Sequence, residues 1–298
     1  MKWEGERESS NVEDDRGGGG GFSIGGRGAS LGCGGLIILL LVSWFTGINP
    51  MSLLNMVQGN APVSTGAPPA APSGQAAPSR AGAPAGAPAD QLGRFASVVL
   101  ASTEDVWKEQ FAKMGKSYIP PKLHLFTRAT RSECGVASMA TGPFYCQLDR
   151  KVYLDLNFFQ ELSQRYGAPG EFADAYVIAH EVGHHVQNQL GVFDEMGGGR
   201  GRGEGSNSVK IELQADCFAG VWGYHANQDR HIIGPGDFEQ GLRAAGAIGD
   251  DRLQRRSEGA VSPESFTHGS SEERTTWLRR GLESGDPGRC NTFQRRLE

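Results

Sequence analysis

The segment FADAYVIAHEVGHHVQNQL, Phe172 to Leu190, packs the decisive signal into nineteen residues. Phe172, Tyr176, Val177 and Ala179 recur at helical spacing and Gly191 supplies a stop, so the segment reads as one helix. His180 and His184 stand four apart within it. A helix turns every ~3.6 residues, so the two imidazoles share a face and can hold one metal ion. Glu181 lies between them, in position to take a proton from water on that metal. His180-Glu181-Val182-Gly183-His184 is therefore an HExxH signature, the pattern of zinc-dependent peptide hydrolysis.

Catalytic zinc commonly has three protein ligands and keeps a fourth position for water. The third is expected downstream, where Val209 to Trp222 reads as a second helix with Leu213, Cys217 and Val221 as its apolar stripe and Ser208 as N-cap. Glu212 and Asp216 are again four apart. Glu212 is assigned as the carboxylate ligand, and Asp216 as the acceptor for the free ring N–H of a ligating histidine, which fixes its tautomer.

HEVGHHVQ (180–187) followed by ELQADCFAGVW (212–222) resembles the bacterial neutral zinc metallopeptidases of the YpfJ-like family, and more broadly the gluzincins, which pair HExxH with a glutamate on the next helix. GPFYC (142–146), VYLDL (152–156), IGDDRLQ (248–254) and FTHGSSEERTTW (266–277) extend the resemblance over about residues 92 to 298. It implies an α+β, zincin-type fold and proteolytic activity, with His180, His184 and Glu212 as Zn2+ ligands and Glu181 as the base. A glycine-rich stretch between the metal helices, residues 197–205, is read as a spacer.

Upstream, Leu31 to Ile48 contains LIILLLVSWF (36–45), and no charged residue occurs from Ser30 to Ser79. A run of ~20 apolar residues matches one membrane span. The mostly polar stretch before it and the lack of a nearby small-residue cleavage site favour a signal anchor over a cleaved signal peptide. Lys2, Arg7, Arg16 and Arg27 precede the run and Arg80 is the first basic residue after it, which predicts a cytoplasmic N-terminus. The expected organisation is a disordered cytoplasmic tail (1–28), a transmembrane anchor (29–50), an Ala/Pro/Gly-rich linker (51–90) and one metallopeptidase domain (91–298). Seven of the fifteen prolines fall between Gly59 and Asp90, a composition that builds no core. The expected location is the bacterial inner membrane, single-pass, with the catalytic domain periplasmic or extracellular.

Cysteine usage fits that location: apart from Cys33, four cysteines remain, an even number for an oxidising compartment. Of three pairings the favoured one joins Cys134 to Cys146, closing a short loop, and Cys217 to Cys290, pinning the C-terminal segment to the Glu212 helix. The bland alternative makes Cys217 a buried core thiol.

The elements expected in the domain are helices near 91–101 and 104–115, a strand near 122–128, a hairpin over 143–156, the two metal helices, and helices near 237–256 and 271–283. Thr103 reads as a helix start, Ser270 with Glu273 as a capping box and Gly285 as a stop. The strand Val152 to Leu156 is the expected edge for substrate pairing, by analogy with zincins.

An oxyanion donor is needed beside the base. His268 is the candidate, with His231 and Tyr224 behind it. His185 is assigned to ring packing or a supporting hydrogen bond, His124 to a structural role, and Asp250 and Asp251 to capping or pairing with Arg252. A net charge of −5 and only a short arginine cluster at 252–256 exclude nucleic acid as a partner. The expected partner is a protein or peptide substrate, with the membrane as a second contact through residues 31–48. The competing function, a proteolytically silent zinc-containing envelope assembly factor, leaves the intact Glu181 without a purpose.

Overall fold

The computed structural model describes residues 1–16, 88–138, 141–197 and 201–293. The first residues and the C-terminal two thirds form one unit, residues 1–18 with 82–298. The anchor expected at 29–50, and the linker apart from residues 88–90, lie outside the described residues. Among those described, no helix is long and apolar enough to cross a membrane.

The class is mixed α+β. A four-stranded sheet runs β1 (Val12–Asp14), β2 (Lys122–Phe126), β6 (Lys151–Asp155), β5 (Phe144–Cys146). The first three are parallel and β5 is antiparallel to β6. A separate hairpin pairs β3 (Ala129–Ser132) with β4 (Gly135–Ser138). β6 therefore lies inside the sheet, and the edge expected at Val152 to Leu156 belongs instead to β5. β6 alternates no exposed face, with Val152 to Asp155 all buried, as suits a strand paired on both sides.

Residues 1–16 depart furthest from expectation. Of the tail expected to be disordered over 1–28, residues 1–16 are ordered and supply β1 to the sheet, with Trp3 buried against Phe95, and residues 17–28 lie outside the described residues. The helices expected at 91–101 and 104–115 are one helix, α1 (Gln91–Lys113), capped by the Asp90 side chain on Gly93 N–H. Thr103 does not start a helix; its hydroxyl donates back to the Leu100 carbonyl. The short α2 (Asn157–Gln164) follows β6.

The two metal helices are α3 (Glu171–Gln189), followed by the single turn α4 (Val192–Glu195), and α5 (Asn207–Arg230). Ser206, two residues before the expected Ser208, caps α5 through Val209 N–H, while Ser208 donates to the Thr267 carbonyl. The helix expected over 237–256 is broken at Ile248-Gly249 into α6 (Asp237–Ala247) and α7 (Asp250–Ser257). The last helix, α8 (Ser271–Ser284), has the expected capping box at Ser270 and Glu273 and ends on left-handed Gly285.

α8 packs along α5, α5 against α3, and α3 against α1 and α6. These helices approach closely because glycine stands at the crossings. A Cβ on Gly281 would run into the Cys217 carbonyl oxygen of α5, and one on Gly183 of α3 would lie 2.9 Å from the Ala215 carbonyl oxygen. Trp107, Phe111, Phe172, Phe218 and Trp222 fill the space between helices and sheet. Both favoured disulfides are present, Cys134–Cys146 and Cys217–Cys290. The second joins α5 to the C-terminal segment across 73 residues.

Candidate metal centre and cleft

His180 and His184 project from α3 toward Glu212 on α5. One ligand atom from each of the three residues lies within 4.8 Å of the others. His180 Nε2 is 3.2 Å from Glu212 Oε2, and His184 Nε2 is 3.5 Å from Glu212 Oε1. Each ring is held by its other nitrogen. Asp216 Oδ1 is 2.8 Å from His180 Nδ1 and, as a carboxylate, accepts that N–H. Gln187 Oε1 accepts His184 Nδ1–H at 2.8 Å, because the Gln187 amide nitrogen is committed to Ile211 O and Gln214 Oε1.

Both tautomers are thereby fixed with the Nε2 lone pairs facing the Glu212 carboxylate. Lone pairs opposing a carboxylate at hydrogen-bond distance require positive charge between them. Without a metal that charge can only be a proton: burial opposes it, but Asp216 and Glu212 hold the His180 pKa up at about 10. Burial likewise opposes ionisation of Glu212, and His184, His268 and His180 outweigh it and push its pKa well down. Two neutral imidazoles and one carboxylate converging on a site that calls for a cation make a donor set that fits zinc.

Beneath the histidines is a residue that the sequence reading did not single out. Arg274, from α8, is 3% exposed and donates to both Asp216 oxygens, at 2.8 and 2.9 Å, and to Tyr176 Oη at 3.1 Å. Tyr176 in turn donates to Asp216 at 2.6 Å. The buried carboxylate is thus fully paired; burial opposes its ionisation, yet Arg274 and His180 hold its pKa at about 2. An arginine in a helix otherwise rich in charge carries no local signal; only the packing of α8 on α5 brings it under His180.

Glu181, on α3 with the two histidines, is buried and lines a cavity of about 900 Å³ together with His180, His184, Glu212 and His268. Burial raises its pKa, offset in part by the two histidines. His268 reaches the rim with its side chain half exposed. Its loop is pinned by Asp250, whose Oδ2 accepts the backbone N–H groups of Thr267, His268 and Gly269 at 2.7, 2.7 and 3.1 Å. Asp251 does the same for Ser271. The two acids therefore clamp the His268 loop, Asp251 by accepting the N–H of Ser271 at the start of α8, so that of the two expected roles they take capping and not pairing with Arg252.

The other histidines stand apart. His185 points away from the centre, with Nε2–H donating to Ile119 O and Nδ1 accepting from Tyr145 Oη, and burial pushes its pKa down to about 4. His124 is buried on β2, its ring stacked on Phe126 and tilted against Tyr153. His231 terminates α5 in a left-handed turn, and Tyr224 packs on His225, so neither lines the cavity. β5 and the residues before it, Thr141 to Tyr145, form one wall, and Phe158, Tyr166 and Phe193 supply aromatic surface.

His180 and His184 on one helix, Glu181 between them and Glu212 on a following helix form an HExxH arrangement whose three converging side chains could hold a metal ion. Residues 1–293 match the family described as "Putative neutral zinc metallopeptidase", and the chain belongs to that family. It is 46% identical to uncharacterized protein YpfJ of Escherichia coli K12, over 98% of this chain and 99% of that protein. It is 41% identical to uncharacterized protein Rv2575 of Mycobacterium tuberculosis H37Rv, over 64% of this chain and 67% of that one. No solved structure matches it.

Proposed function

We propose that this protein is a zinc-dependent endopeptidase of zincin-like architecture. The observation that carries the reading is the convergence of His180, His184 and Glu212 within 4.8 Å beside Glu181 on a cavity wall. Zinc bound there would polarise the scissile carbonyl and make water a stronger acid near neutral pH. Glu181 accepts the proton of the attacking water and delivers it to the leaving amine. Its buried position raises its affinity for that proton and so suits it to carry it. Asp216 and Gln187 orient the two imidazoles, and Arg274 keeps Asp216 ionised. His268, held by Asp250, donates to the oxygen on which charge develops. An extended peptide pairs with β5, the sheet edge that borders the cavity.

The two disulfides favour work in an oxidising space outside the cytoplasm. The apolar run 31–48 attaches the enzyme to the bacterial plasma membrane.

The test is metal content and cleavage of a broad peptide library by the full chain, beside Glu181→Gln. Stoichiometric zinc in both with cleavage only by the first is expected. Zinc in both with cleavage by neither gives the assembly-factor reading instead. Absence of zinc from folded protein overturns the centre itself.

A further inference from the structure

Residues 1–16 are built into the same body as the metal centre. Lys2 N–H donates to Ile232 O at 2.7 Å, and the Trp3 indole donates to Glu171 on α3 at 3.0 Å while its ring meets Phe95 edge-on at 5.5 Å. Arg7 reaches α1 at Ala101 O, Glu104 and Asp105. Ser9 is buried, exchanges hydrogen bonds with Ser97 and donates to Glu104, to which Asn11 also donates. β1 then runs parallel to β2, Val12 facing Leu123 and Asp14 facing Leu125, with Glu13 bonded to Lys122 and Lys151. Arg16 closes the segment, bonded to Asp14 and, at 2.5 Å, to Asp90, the residue that caps α1.

Removing the segment would uncover the β2 edge, strip the cover from Phe95 and leave Glu104, 7% exposed, without Ser9, Asn11 and Arg7. The domain is thus incomplete without its first sixteen residues, and the two ends of the intervening stretch, Arg16 and Asp90, are joined by an ion pair.

That geometry conflicts with a single crossing by residues 31–48, which would place residues 1–16 and the domain on opposite faces of a membrane. A chain that leaves one body and returns to it crosses an even number of times. Residues 31–48 have the length for one crossing, and the stretch up to Asp90, with Pro50, Pro62, Pro68, Pro69, Pro72 and Pro78, offers no second apolar run of that length. We infer that residues 1–16 and 88–293 lie on the same side of any membrane the chain meets, so that residues 31–48 do not serve as a single-crossing anchor. The cytoplasmic tail with an external domain, expected from the basic residues, gives way to a one-sided arrangement. The inference is independent of the peptidase reading.

The test uses the full chain with Cys33→Ser, which leaves only the four disulfide cysteines, and one added thiol at an exposed position, Glu8→Cys or Lys108→Cys. Bacterial spheroplasts expressing each variant are treated with a membrane-impermeant maleimide before or after lysis. Both positions labelled before lysis, or both only after it, is the expected result. One position labelled in intact spheroplasts and the other only after lysis overturns the inference. Both substitutions sit on the solvent face, so folding does not decide the outcome.

Discussion

Arg274 Nε and Nη2 grip the two oxygens of Asp216 from below while His180 Nδ1–H meets the same carboxylate from above. One buried acid thereby links a helix near the C-terminus to a histidine at the centre of α3. Arg274→Met removes the counter-charge and leaves the buried Asp216 carboxylate with only Tyr176 and His180 as partners, a change that costs about 3–5 kcal/mol of stability. Zinc affinity is expected to fall about 10- to 100-fold as His180 loses its orientation. Thermal unfolding and competition with a chelating dye measure the two effects, and Arg274→Lys should recover part of each. Unchanged zinc affinity in a folded Arg274→Met protein would remove Arg274 from the supporting shell.

His268 acts on charge that exists only during the reaction. His268→Ala should lower kcat by roughly 10²-fold with little change in KM and none in zinc content. Asp250→Asn should act in the same direction more weakly, because it loosens the loop and keeps the imidazole. Steady-state kinetics on the best library peptide decide this; equal kcat for the wild type and His268→Ala would assign the histidine to the rim alone.

Glu13 ties β1 to the sheet through Lys122 and Lys151. Burial disfavours its carboxylate, and the two lysines outweigh it, holding the pKa at about 2 against an unfolded value of 4.5. A depressed acid contributes its stability above the unfolded value and loses it as pH falls through the folded one. Hydrogen-exchange protection of residues 12–14 should therefore decline between about pH 4.5 and 2, ahead of the core of α3. Glu13→Gln should abolish that dependence. Protection that is flat across this range would detach the lysine pair from the anchoring of β1.

Gly281 marks the closest approach of α8 to α5, beside Cys217 and Gly220. Gly281→Ala forces two backbones apart, with no flexible side chain able to yield, and should destabilise the protein by about 3 kcal/mol. The midpoint of chemical denaturation reads this directly, and a midpoint equal to the wild type would mean that the helices slide freely.

The centre was legible because its signals are local: spacing of four on a helix fixes His180 with His184, and again Glu212 with Asp216. The capping box at Ser270 and both disulfides were legible for similar reasons, one by short-range hydrogen bonding and the other by parity and loop length. Thr103 misled because a threonine followed by Glu104 and Asp105 imitates a helix start, whereas its hydroxyl bonds to a carbonyl within an unbroken helix. Residues 1–16 misled for the opposite reason. Three strand residues, two of them acids, show no periodicity, and the lysines that neutralise Glu13 lie more than a hundred positions away. Arg274 and the edge position of β5 exist only in tertiary structure.

Gly183 touches nothing that reacts, yet it acts as a spacer of zero thickness. The backbone of α5 at Ala215 rests where a side chain on residue 183 would stand, and Glu212 is one helical turn upstream of that point. Gly183→Ala would have to open the gap by a few tenths of an ångström, and the opening would carry the glutamate away from both imidazoles. The second unnamed position of HExxH is in this chain a gauge block: the bite of the metal site is set by an atom that is missing.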